Sequence, residues 1–337
     1  MIITKTPFRM SFFGGGTDME RFFREHGGAV LSTTFDKYCY VTVRHLPRFF
    51  DYSTDLTYSK SERVNSVEEI QHPAIRNAMK MLDMHEIRLT YDSDLPARSG
   101  LGTSSSFAVG MLNAFYALKG KYVSKKRLAD EAIYLERVLC GEAGGWQDQI
   151  AAAFGGLNRI NFNHDGYEVV PVIISPKRKE HLNQNLMMFF TGFTRFSFDV
   201  QKANAADRSD KTAQLKELYS LVDPAERILT DQQADLDDFG RLLDHTWQLK
   251  RKTGAAVSTD SIDALYDRGR KAGALGGKLL GAGGGGFLLF YVTPEYRDAV
   301  KKAMDGLLYI PFRFEDGGTQ VIHYTPEDYV PKEQEAQ

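Results

Sequence analysis

Cysteine is almost absent from this chain. Cys39 and Cys140 are the only two in 337 residues, and they lie far apart in sequence. Two thiols build neither a disulfide framework nor a cysteine-based zinc site, so a reducing cytoplasm is the expected compartment. Net charge is just as scarce: 42 basic against 44 acidic side chains leave −2. Without a basic excess there is no electrostatic case for nucleic acid or an anionic membrane as partner. No apolar run approaches membrane-spanning length, and Met1 to Arg9 lacks the charged-then-apolar order of a signal peptide. The eight histidines show no ligand-like clustering, so no zinc is expected. Neither internal repeats nor low-complexity linkers occur.

Glycine, by contrast, is plentiful, with 30 residues, and it gathers in three motifs. Residues 2–13 read as a strand that Gly14-Gly15-Gly16 ends sharply, with Thr17-Asp18 as a helix start. Ala29 to His45 has the Val, Tyr, Thr and Phe content of a long strand or strand pair. Val67 to Leu82 is helical in period, and Ile87 to Tyr91 is a short strand. Leu95 to Gly102 is a loop by its Pro and Gly content. It runs into Thr103-Ser104-Ser105-Ser106, after which Phe107, Met111, Phe115 and Leu118 recur at helical spacing. Ser124 opens a further helix with Leu128, Ala132, Leu135 and Leu139 on one face. Gly141 to Gly145 interrupts it, Trp146 to Phe154 is helical again, and Leu157 to Phe162 alternates as a strand.

Beyond residue 180 the composition shifts. Leu186 to Phe190 reads as a strand, Lys211 to Trp247 as mostly helix, and Ile262 to Lys271 as helix. Strand-like Lys278 to Leu280 leads into Gly281 to Gly286, and Phe287 to Val292 is a strand. A helix over about 295–307 and two short strands complete the pattern, and residues after about 331 are expected to fray. Strands and helices mix without strict alternation, which predicts an α+β fold. At 337 residues the chain is long enough for two ordinary domains or one large one.

Local physics leaves the central motif open. Gly100-Leu101-Gly102-Thr103-Ser104-Ser105 offers backbone N–H groups at a helix N-terminus, the arrangement a phosphate needs. An ordinary loop with a serine N-cap would look the same. Gly281 to Gly286 contains G-x-G-x-x-G, but a strand rather than a helix follows, so a dinucleotide fold is excluded. Asp238-Phe239-Gly240 precedes that motif and no His-Arg-Asp loop exists, so a protein kinase is excluded as well. Gly276-Gly277-Lys278 continues with Leu279, which is not a P-loop.

Taken together, three segments resemble the GHMP small-molecule kinases, in that family's order. They are Lys5 to Asp18, Pro96 to Ser106, and Lys278 to Phe287. Within the family, the likeness is to the sugar-1-kinase branch acting on D-glycero-D-manno-heptose 7-phosphate, with fucokinases as near neighbours. It rests on Gly14 to Asp18, on Leu139-Cys140-Gly141-Glu142-Ala143-Gly144-Gly145-Trp146-Gln147-Asp148-Gln149, and on Leu242 to Arg251. The chain departs from many relatives in having Thr103 and Ser105 in the central motif, and from mevalonate kinases in having Arg9 where they have Lys. The stretch from Glu136 to Asp148 is slightly longer than in some relatives.

The resemblance implies two domains, a ribosomal-protein-S5-like one over 1–180 and a ferredoxin-like one over 181–337, with a site between them. ATP and Mg²⁺ are the implied cofactors and a small sugar or sugar phosphate the implied partner. Gly100, Leu101, Gly102, Thr103, Ser104, Ser105 and Ser106 would hold the phosphates. Ser104 and Glu136 are the implied Mg²⁺ ligands. Asp148 occupies the family's catalytic aspartate position, with Arg9 as the cation beside it. Gly15, Gly16, Thr17 and Asp18, with Gly283 and Gly284, are the expected acceptor contacts. A 7-phosphate on the acceptor would require a second anion site, for which Arg98, Arg195, Lys250 and Arg251 are candidates. A non-catalytic sensor on the same scaffold would have no use for Asp148 as a base.

Overall fold

The computed structural model describes residues 1–97, 99–192, 211–252, 254, 257–281 and 283–327. Arg98, Arg195 and the expected frayed end after residue 331 lie outside them. The first domain is built on two long neighbouring strands, β1 (Ile2–Phe13) and β2 (Gly28–His45), separated by the short helix α1 (Glu20–His26). They pair antiparallel along nearly their whole length. The far edge of β2 is shared by three partners. These are β5 (Ile87–Ser93), β6 (Asn158–Asn163) and β12 (Phe314–Glu315). The strands β3 (Thr54–Thr57) and β4 (Ser61–Val64) extend the sheet beyond β5, and β7 (Gly166–Pro171) pairs with β6. β13 (Gln320–Tyr324) pairs with β1. The last strands of the chain thus return to the first sheet, although they follow the second domain in sequence.

Four helices cover one face of this sheet: α2 (Pro73–Met81), α3 (Thr103–Leu118), α4 (Lys125–Ile133) and α5 (Gln147–Phe154). α3 is apolar nearly all round and buried accordingly, as a central helix must be. Gly110 lets it approach β1: a β-carbon there would stand 2.7 Å from Thr6 Oγ1. Register shifts between Pro7 and Phe8 in the β1–β2 ladder. Beyond that point Phe8, Met10 and Phe12 join a second apolar core. Alternation then turns Arg9 the other way, toward α3 and α5.

The second domain has a four-stranded antiparallel sheet. Its strands are β8 (Leu186–Phe190), β9 (Gly276–Leu279), β10 (Phe287–Tyr291) and β11 (Leu308–Ile310), after helix α6 (Pro176–Gln184). The spatial order β11-β8-β10-β9 is the 4-1-3-2 order of a ferredoxin-like βαββαβ unit. Between β8 and β9 run α7 (Thr212–Ser220), α8 (Val222–Thr230), α9 (Asp237–Arg251) and α10 (Asp260–Lys271). α11 (Arg297–Ala303) joins β10 to β11. The fold is α+β, as the mixed pattern predicted, and in two domains, as the resemblance implied. Phe239 of α9 meets Phe12 and Phe13 of β1 edge-on, at 5.3 and 5.1 Å between ring centres. That apolar core ties the domains together.

Several elements differ from the sequence reading. The helix expected over 67–82 begins at Pro73, with His72 as N-cap, and only a 3₁₀ turn occupies Val67–Glu69. The β3–β4 hairpin, β7 and α6 were not foreseen, because their short polar strands and mixed helix carry weak periodicity. Leu139 was expected to share a buried face with Leu135, yet it is exposed. After α4 the chain enters a π-turn over Tyr134–Leu139, with Cys140 N–H bonded to Leu135 O. Such a turn shifts the helical phase and carries Leu139 outward. No helix among the described residues is long and apolar enough to cross a membrane.

Candidate active site

The three glycine motifs converge where the two domains meet. Gly100 and Gly281 pack backbone against backbone: a β-carbon on Gly281 would lie 2.4 Å from Gly100 Cα. Gly286 is as tightly placed against Ser99 O, at 2.2 Å. Gly100 and Gly102 adopt φ of +83° and +74°, values that favour glycine. The turn they form delivers the chain into the N-terminus of α3.

Leu101 is buried in the inter-domain core, and its carbonyl accepts from Arg9 N–H at 3.2 Å. Ser106 Oγ donates to Pro7 O at 2.9 Å and pins α3 to β1. Ser105 Oγ donates to Glu136 Oε2 at 2.7 Å, and Ser104 Oγ to Glu136 Oε1 at 2.8 Å. Gln149 Nε2 also donates to that carboxylate. Glu136 is almost fully buried, and so is Thr103, whereas its chain neighbour Ser104 is exposed. The π-turn is what swings Glu136 inward while Tyr134 and Val138 face solvent. Ser99 Oγ is fully buried and has no hydrogen-bond partner, an orphaned donor beside the turn.

Arg9 holds Asp148 in a two-pronged clamp, Nε to Oδ1 and Nη2 to Oδ2, each 2.8 Å. Its Nη1 donates to Gly100 O at 2.7 Å. Such a fork fixes the carboxylate in plane. Arg9 is buried, while the Asp148 side chain keeps 23% of its exposure. Gly102 faces both, with its β-carbon position 3.4 Å from each side chain. The pair therefore sits directly beneath the glycine turn.

Asp18 approaches from the first motif. Its Oδ1 accepts from Gly16 N–H at 3.0 Å and its Oδ2 from Gln147 N–H at 3.2 Å. Burial, and next the nearby Asp148 charge, push its carboxyl above the ordinary aspartate value. Gly15 lies 3.7 Å, at its β-carbon position, from Ser11 Oγ, another buried hydroxyl without a partner. Thr17 corrects an expectation. Its hydroxyl is fully buried within 2.8 Å of Gly14 O and 2.9 Å of Ala29 O. It holds the turn closed and is shielded from any sugar. Gly283 and Gly284 meet the backbone of Val257, within the second domain.

Of the anion candidates, Arg251 is paired with Asp263 at 2.8 Å. Lys250 points into the cleft and donates to Gly281 O at 2.6 Å. Three participants escaped the sequence reading. Gln149 stands in the string that carries the resemblance without a role of its own there, yet it holds Glu136. Lys278 is buried in β9 and donates across the domain boundary to Phe12 O at 2.8 Å. Gly145 leaves room for Asp18, a steric fact no spacing reveals.

Comparison with known proteins follows the same lines. Residues 66–156 match the GHMP kinases N terminal domain, and residues 228–309 match GHMP kinases C terminal, together about half of the chain. A D-glycero-alpha-D-manno-heptose 7-phosphate kinase from Campylobacter jejuni is 28% identical over 344 residues, covering 97% of each chain. The bifunctional fucokinase/GDP-fucose pyrophosphorylase of Arabidopsis thaliana is 29% identical over 58% of this chain but only 19% of its own. Among solved structures, a D-glycero-D-manno-heptose 1-phosphate kinase from Bacteroides thetaiotaomicron superposes with a TM-score of 0.76. It is 24% identical, covering 98% of this chain and 100% of that one. Lactococcus lactis galactokinase complexed with galactose gives 0.70 at 17% identity, covering 95% and 94%.

Proposed function

The chain belongs to the GHMP kinases, phosphotransferases that take their phosphoryl group from ATP, and on that premise we propose that it phosphorylates the anomeric hydroxyl of a sugar. The acceptor is D-glycero-D-manno-heptose 7-phosphate and the product its 1,7-bisphosphate. The observation that carries this reading is the Arg9–Asp148 clamp lying against the Gly100–Gly102 turn, with Asp18 close to Asp148. The near full-length likeness to the Campylobacter enzyme supports the choice of acceptor.

In this mechanism the turn from Gly100 to Ser106 receives the β- and γ-phosphates at the N-terminus of α3, with Ser99 Oγ as an additional donor. The orphaned state of that hydroxyl fits a ligand at this turn. Asp18 accepts from sugar hydroxyls, and Gly15 and Gly16 let the sugar approach. Asp148 orients the anomeric hydroxyl and takes its proton as the oxygen attacks the γ-phosphorus. Arg9 grips both Asp148 oxygens and keeps the carboxylate aimed. An anomeric hydroxyl is more acidic than an ordinary alcohol, so a carboxylate suffices as base.

Among the described residues no three His, Cys, Asp or Glu side chains gather into a metal cage. One carboxylate and one hydroxyl fit Mg²⁺, which keeps waters and binds phosphates for its other positions. Ser104 and Glu136 would hold it, and the bound ion would neutralise phosphate charge.

The test is ADP release with ATP and a panel of heptose 7-phosphate, the dephosphorylated heptose, L-fucose, galactose and mevalonate. Turnover strongest with the heptose phosphate is expected. Preference for L-fucose would move the acceptor to the fucokinase type that the Arabidopsis likeness favours. No turnover with any sugar removes the proposal.

A further inference from the structure

Arg9 directs all three guanidinium nitrogens at protein acceptors, two at Asp148 and one at Gly100 O. The charge on a phosphoryl group in flight needs donors of its own. Lys250, near the end of α9, stands beside this group. Its ammonium donates to Gly281 O, and Gly281 is the residue packed on Gly100. The β-carbon position of Gly281 is 2.7 Å from Gly100 O, the same carbonyl that Arg9 uses. Two cations from different domains therefore meet on two touching backbone segments, one of which, Gly100, is tied through Arg9 to Asp148.

We propose, on the sugar-kinase reading above, that Lys250 is a further catalytic residue whose ammonium contacts the γ-phosphoryl group during its transfer. Three features support a γ-phosphoryl contact rather than a contact to the acceptor's own phosphate ester. Lys250 neighbours Arg9, which grips the base, and Asp18, and the reacting C1 oxygen must sit by that base, whereas a 7-phosphate lies at the opposite end of a heptose. The position needs a rotatable point charge that follows a moving group, which an ammonium supplies better than a planar fork. The cations also repel one another at this spot. Burial, and then the Arg9 charge, bring Lys250 down to about 8, with Asp18 opposing, and Lys278 feels both Lys250 and Arg9. An anion arriving between them relieves that repulsion.

The step balances without further reactants. The anomeric oxygen forms a bond to the γ-phosphorus while the bond from phosphorus to the β-bridging oxygen breaks. The electron pair of the broken bond leaves with ADP, and the hydroxyl proton passes to Asp148. Lys250 exchanges neither proton nor electron.

Lys250→Met and Lys250→Arg test this with ATP and either heptose 7-phosphate or the dephosphorylated heptose. For Lys250→Met a fall in kcat of about 10²–10³-fold is expected with both acceptors, with acceptor KM values nearly unchanged. Lys250→Arg should recover part of the rate. A rise in KM confined to the phosphorylated acceptor would overturn the proposal in favour of an acceptor-phosphate contact. An unchanged kcat with a lowered Tm would reduce Lys250 to a prop for Gly281. If the wild type turned over neither sugar, the acceptor assignment would fail while this one stayed open to test by acceptor-free ATP hydrolysis. Slower hydrolysis in Lys250→Met supports the contact, and equal rates overturn it.

Discussion

Gly145 stands so close to Asp18 that a β-carbon on it would lie 1.8 Å from Asp18 Oδ2. The glycine there is a steric requirement of the carboxylate, imposed from 127 residues away along the chain. Gly145→Ala must push Asp18 off its bond from Gln147 N–H. The expected result is a rise of about tenfold or more in acceptor KM, the scale of one lost charge-assisted hydrogen bond, with ATP KM little changed. Steady-state kinetics in both substrates check it, and an unaltered acceptor KM would separate Asp18 from the sugar.

Asp148 and Arg9 should fail differently. Asp148→Asn keeps the shape but loses the base, and kcat is expected to drop about 10²–10⁴-fold while ATP still binds. Arg9→Lys keeps the charge but cannot fork onto both oxygens, so a smaller loss of kcat is expected. Arg9→Met is a poorer probe, since it removes the charge and the fork together and leaves the Asp148 carboxylate without its clamp. Near-wild-type turnover of Asp148→Asn would remove it as catalyst.

Glu136 accepts from Ser104, Ser105 and Gln149. Glu136→Gln presents an amide to one of those donors and removes the negative charge. If the site holds Mg²⁺, the concentration for half-maximal activation should rise about 10–100-fold. Ser104→Ala should move it in the same direction. A Mg²⁺ titration that both variants leave unchanged would relegate the cluster to fixing α3 against the π-turn.

Much of this site was legible because its chemistry depends on local backbone. The Gly100–Gly102 turn, the helix it opens and the glycine-terminated first strand each write their geometry into adjacent residues. The α+β mixture followed from the order of apolar patterns, whereas the ferredoxin-like half was implied only by the resemblance to the GHMP kinases. What stayed hidden depends on tertiary contact. Thr17 looked like a sugar ligand because a hydroxyl before Asp18 suits one. Only the return of β2, bringing Ala29 O to its hydroxyl, shows it occupied. The π-turn was invisible because Tyr134 to Leu139 keeps ordinary helical spacing in sequence. Lys250 ranked equally with Arg251 until packing turned one into the cleft and the other onto Asp263.

Asp18 should leave a mark on stability as well as on binding. Its carboxyl lies above the ordinary value of 3.8, chiefly from burial and then from the Asp148 charge. The folded protein therefore holds this proton more tightly than the unfolded chain. The stability this contributes is complete below pH 3.8 and is lost as pH rises through the folded value. Asp18→Asn cannot ionise and escapes that loss. It carries a fixed penalty of its own, because its amide faces either Gly16 N–H or Gln147 N–H. The sign of the offset between the two proteins is therefore uninformative, and the slope is the readout. The Tm of Asp18→Asn minus that of the wild type should climb from pH 4 upward and level off once Asp18 has ionised. A difference that stays flat across that range would mean the Asp18 carboxyl has the same proton affinity folded and unfolded, contrary to its burial beside Asp148.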